Sequence, residues 1–98
     1  MVDRDTALAA FLRAFGEARY FEAHEILEEF WVTYQGPDRD FYKGLIQSAV
    51  ALHHAAHANP EGARGVATRA RRHLAPYAAG HAGVDVEDVL DRLAQAVP

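Results

Sequence analysis

The run from Phe41 to His57, FYKGLIQSAVALHHAAH, is apolar or small on almost every side. Wound at roughly 100° per residue, it sets Tyr42, Leu45, Ile46, Ala49, Leu52, His53 and Ala56 on one face and Gly44, Ser48, Ala51 and Ala55 on a stripe opposite. A helix with two faces to bury is enclosed by its neighbours, so the pattern predicts a central helix over about residues 39–58 with the rest of the chain packed around it. Only a wedge carrying Lys43, Gln47, His54 and His57 beside Val50 is polar. On an enclosed helix such a wedge needs partners, and the segment Tyr20 to Gln35, with His24, Glu25, Glu28 and Trp31, is the expected source.

Other helical patterns flank this one. Val2 to Phe15 spaces Leu8, Phe11, Leu12 and Phe15 for a first helix, with Asp3 or Asp5 as N-cap and Gly16 placed to end it. On the second, Ala23, Ile26, Leu27, Phe30 and Tyr34 share a face with Tyr20 and Trp31 on its shoulder. Gly36-Pro37-Asp38 breaks the chain, and Asp38 or Asp40 is available to cap the central helix. Asn59 and Pro60 fit an N-cap and first turn, opening a fourth helix to about Tyr77. Residues 78–83 read as a flexible connection to a last helix capped by Asp85, with Val86, Val89, Leu90, Leu93 and Val97 on one side. Without β-alternation or repeats, these patterns predict an all-α, compact array of about five helices, one domain over residues 1–98.

A formal charge of −4 argues against a general nucleic-acid binder, whose affinity needs clustered cations. The arginines of the fourth helix, Arg64, Arg69, Arg71 and Arg72, are spread around it and are expected to answer the acids of the second. With no cysteine, any metal must be held by His and carboxylate. No stretch reaches membrane-span length, and the N-terminal residues lack a signal-peptide pattern, so the expectation is a soluble cytoplasmic protein.

His24 and Glu28 stand one turn apart on the same side of the second helix, close enough to bind one ion or each other, and Trp31 follows a turn later. Imidazole and carboxylate suit zinc, manganese or iron, though a tight zinc site needs three or four ligands. Further donors are expected from the central helix, namely His54, His57 and His53, with Trp31 and Gln47 as walls. The alternative is a hydrogen-bonded His24–Glu28 pair with a structural role, Trp31 being a core anchor. His73 and His81 have no evident partner in the sequence and read as surface or loop residues.

The stretch His24-Glu25-Ile26-Leu27-Glu28-Glu29-Phe30-Trp31 carries His-x-x-x-Glu-x-x-Trp, the hallmark of the bacterial and archaeal family known as domain of unknown function 309. The flanking YFEAHEILEEFW, GLIQSAVALHH in the central helix and the Asn59 to Ala63 turn extend the resemblance over most of Tyr20 to Ala63. The resemblance implies an all-helical fold and a metal role for the His24/Glu28 pair, but no established reaction. Two classes of function follow. One is a metal-binding and hydrolytic protein whose ion keeps an open position to activate water. The other is a noncatalytic helical interaction module pairing with itself or another protein. The sequence specifies no small-molecule substrate.

Overall fold

The computed structural model describes residues 3–98. Five α-helices follow in order: α1 (Arg4–Gly16), α2 (Tyr20–Trp31), α3 (Arg39–Ala56), α4 (Pro60–Leu74) and α5 (Val86–Ala96), with one 3₁₀ turn, Ala75–Tyr77, after α4. No β-strand occurs among the described residues, so the all-α architecture expected from the periodicities is the observed one. Val2, where the sequence pattern starts the first helix, lies outside the described residues.

α3 is the centre of the array. It packs most extensively on α4, then on α2, and more briefly on α5, while α1 lies on α2. Phe41, Tyr42, Leu45, Ala49 and Ala51 are completely buried, and Leu52 nearly so, which answers the two-faced pattern of its sequence. The enclosure stops short of the last turn, where Ala56 and His57 are exposed. The small-residue stripe explains the closest packing. A Cβ on Gly44 would come within 2.8 Å of Leu74, so only glycine lets α4 lie this near α3.

Helix ends follow side-chain chemistry. Asp3 accepts from the Thr6 amide to cap α1, Asn59 from Gly62 to cap α4, and Asp85 from Asp88 to cap α5. The left-handed residue after α1 is Ala18 (φ 61°) and not Gly16, which remains inside the helix. α2 ends at Trp31, within the segment Tyr20 to Gln35 and short of Tyr34, and Arg39 satisfies carbonyls at and beyond its end: the guanidinium donates to Trp31 O at 2.5 Å and also to Tyr34 O. Asp38 stands at the N-cap position of α3 without capping it, its carboxylate being engaged elsewhere.

The α4 arginines do not meet the acids of α2. Arg71 donates to the Val97 carbonyl at 2.7 Å, and the Arg–carboxylate pairs among the described residues are local ones, such as Arg19 with Glu17 and Glu22 or Arg92 with Asp88. Long side chains on neighbouring turns reach one another at less entropic cost than across an array.

Candidate functional site

α2 turns His24 and Glu28 to the same side, and α3 brings His53 and His54 up to His24. Phe21, His24, Val50, His53 and His54 line a pocket of about 190 Å³ between the two helices. The Phe21 ring forms part of its rim, 4.8 Å from the His24 ring and 5.3 Å from His53 by centroids, yet it is 52% exposed. The His53 and His57 rings lie 4.2 Å apart and tilted at 35°, with His54 6.1 Å from His53. The structure thus brings His24, His53 and His54 together, with His57 reached through His53.

The hydrogen bonds sort these rings. His24 Nδ1 lies 2.5 Å from the Phe21 carbonyl, which can only accept, so the neutral ring carries its proton there and leaves Nε2 bare. His57 Nδ1 donates likewise to His53 O at 2.8 Å. His54 is the opposite case. Asn59 uses its Oδ1 to cap α4 and so turns its amide nitrogen to His54 Nδ1 at 3.3 Å, placing the proton of neutral His54 on Nε2. Burial, and then the neighbouring His57, His54 and His24, push the His53 pKa below its ordinary value and favour the neutral ring.

His24 Nε2 is 3.8 Å from Glu28 Oε2, beyond hydrogen-bond range, and the Glu28 side chain is 46% exposed against 17% for His24. The donor chemistry suits a divalent ion, since neutral imidazole and carboxylate face each other and the His24 Nδ1–carbonyl bond orients the ring as in metal-binding histidines. The donor number falls short: among the described residues no three or more His, Asp and Glu side chains are gathered as a metal-holding group.

Trp31, the last residue of the signature, is tied to the start of α3. Its indole N–H donates to Arg39 O at 3.1 Å while Arg39 donates back to Trp31 O, and the guanidinium lies 3.8 Å and the Lys43 ammonium 4.3 Å from the ring centroid. Gln47 is not a wall beside His24. It is buried toward α4, where its Oε1 accepts from His73 Nδ1 at 2.7 Å, so His73 has an interior partner that its sequence position did not disclose.

A second polar cluster lies where the α2–α3 turn meets the α4–α5 connection. Asp38 accepts from the Tyr34 hydroxyl on one oxygen and, at 2.7 Å, from His81 Nε2 on the other. The His81 ring packs 4.6 Å from Phe41 and 4.7 Å from Tyr77. Residues 78–83, expected to be flexible, are therefore held by a non-local imidazole contact. Burial opposes ionisation of Asp38, but the bonds from Tyr34 and His81 outweigh it and hold the carboxyl below its usual range. The same Asp38 bond, aided by burial, pushes the Tyr34 hydroxyl up to about 12. Gly36 is required here, because a Cβ would collide with the Tyr34 hydroxyl. The fully buried Tyr42 hydroxyl has no hydrogen-bond partner among the described residues; burial first, then Asp38, raises its pKa.

An all-α array centred on α3, with His24, Glu28 and Trp31 presented by α2, defines the class of the molecule. Residues 8–66 match the family model described as a domain of unknown function (DUF309), and the chain belongs to that family. It is 30% identical over 77 residues to an uncharacterized protein of Aquifex aeolicus (strain VF5), covering 78% of this chain and 23% of that one. It is 48% identical over 46 residues to the uncharacterized protein YpuF of Bacillus subtilis (strain 168), covering 46% and 26%. The matched stretches thus span about a quarter of the length of these relatives. No solved structure matches. No helix of the described residues is long and apolar enough to cross a membrane.

Proposed function

We propose that this is a noncatalytic helical interaction module in which the His24/Glu28/Trp31 signature sets how α2 meets α3. The observation that supports this best is the reciprocal tie of Trp31 and Arg39, each bonded to the other's backbone carbonyl, with the guanidinium on the indole face. His24 adds to it by bonding the Phe21 carbonyl and holding the Phe21 ring beside the pocket. The partner is a protein, a second copy included, that covers the exposed Phe21 side of α2. Cytoplasmic location and a lack of nucleic-acid partners belong to the same proposal, the latter resting on the charge of −4.

A second reading is favoured by the bare Nε2 of His24 facing Glu28. In it the two residues hold zinc, manganese or iron, with His53, His54 or His57 as further donors, and the bound ion supplies a polarised water for hydrolysis. Thermal melts of wild type and His24→Ala, each with chelator and with added zinc or manganese, separate the readings. The interaction module predicts a wild-type melt indifferent to metal and a loss in the variant of about 1 kcal/mol under every condition. A metal-dependent rise in wild type that His24→Ala abolishes would overturn it in favour of the second.

A further inference from the structure

α5 is attached differently from the other helices. α1 to α4 pack successively on one another along their lengths, whereas α5 meets α3 over a short stretch and α4 more briefly still. It also lies, with the connection before it, outside the residues 8–66 shared with the family. Its stripe of Val86, Val89, Leu93 and Val97 is buried, so it is docked; short side-chain bonds hold it at its two ends, and at its middle Arg92 makes a longer one to Phe15 O of α1 at 3.5 Å. Four residues before the N-cap Asp85, His81 bonds Asp38 at 2.7 Å; just past the C-terminal end, Arg71 donates to Val97 O at 2.7 Å.

The connection is strained as well as fastened. His81 and Val84 form an isolated antiparallel bridge around Ala82 (φ 53°) and Gly83 (φ 77°), a turn with two left-handed central residues. Alanine resists that conformation. It is kept there by the anchors on either side, the His81 side chain on Asp38, Phe41 and Tyr77 and the buried Val84. Releasing His81 therefore frees a turn that local preference does not favour.

From these observations we infer that residues 75–85 and α5 open and close as one unit against a standing α1–α4 body, with His81 on Asp38 and Arg71 on the Val97 carbonyl as the end latches and Arg92 on the Phe15 carbonyl as a longer contact that parts with them. Closed, the unit keeps its valine and leucine stripe out of water. Open, it exposes that stripe and the facing part of α3 while the α2–α3 and α3–α4 interfaces persist, as expected of a cooperative subglobal opening.

Amide hydrogen exchange on the full protein tests this. Wild-type α5 amides should exchange at least about 10-fold faster than those in the middle of α3, since partial opening needs less free energy than global unfolding. His81→Phe keeps an aromatic ring but removes the bond to Asp38, and should speed α5 exchange by roughly 10- to 100-fold while leaving α2 and α3 rates unchanged. Arg71→Met, remote from that cluster, should do the same from the other end and carries the test should His81→Phe fail to fold. Equal wild-type rates in α5 and α3, equal acceleration of all helices, or no acceleration of α5 in a folded variant would each overturn the inference.

Discussion

The molecule contains two His–carboxylate pairs of opposite character. His24 and Glu28 are one turn apart in sequence and conspicuous there, yet their side chains stand 3.8 Å apart with the carboxylate half in solvent. His81 and Asp38 are 43 residues apart and inconspicuous, yet they meet at 2.7 Å with Asp38 at 13% exposure and a second bond from Tyr34. Helical spacing brings two Cβ atoms near one another but does not close a hydrogen bond, whereas a partly buried carboxylate between two donors is fully engaged. The conspicuous pair closes no hydrogen bond between its two members. The inconspicuous one holds the fold together.

The largest effect should come from the engaged pair. Asp38→Ala strands the Tyr34 hydroxyl and the His81 imidazole and should cost about 3 kcal/mol in chemical denaturation. A loss no larger than that of Glu28→Ala would erase the contrast. The pH dependence sharpens it. Asp38 has a folded pKa below its ordinary value, so its stabilisation is present above the unfolded carboxyl pKa and is lost as pH falls through the folded one, below about pH 4. His53, also depressed, gives stability that is present above its unfolded pKa and lost as pH falls from about 6.5 toward its folded value. Stability against pH should thus fall in two separate limbs, with His53→Gln removing the upper and Asp38→Asn the lower.

Smaller effects follow in order. Tyr34→Phe should cost about 1 kcal/mol and remove from the ultraviolet titration a tyrosine ionising at about 12. Glu28→Gln, at an exposed side chain outside hydrogen-bond range, should stay within about 0.5 kcal/mol in the presence of chelator. Ala82→Gly should stabilise by about 0.5 kcal/mol, since relief of the left-handed alanine exceeds the glycine entropy lost on folding.

What could be read from the sequence divides along the same line. The central helix was legible because its periodicity reports burial on two faces, and the Asn59 and Asp85 caps because capping is local chemistry. The proximity of His24 to the α3 histidines was legible for the same reason, through angular position on two consecutive helices. His81 was not, because its partner lies 43 positions away and no periodicity links a loop to a helix start. Gln47 and His73 were missed similarly: helical phase assigns an angle around an axis, but which neighbour occupies that angle is a tertiary fact. The end of α2 involves Arg39, a cation beyond the turn that takes the Trp31 carbonyl.

A pair of double-mutant cycles, run in chelator, tests the contrast most directly. One combines Asp38→Asn with His81→Phe, the other His24→Phe with Glu28→Gln, each read by chemical denaturation. The coupling should be about 1–2 kcal/mol in the first cycle, where a carboxylate and an imidazole are in hydrogen-bond contact, and within about 0.5 kcal/mol of zero in the second. Equal couplings, or a larger one for His24 and Glu28, would contradict it.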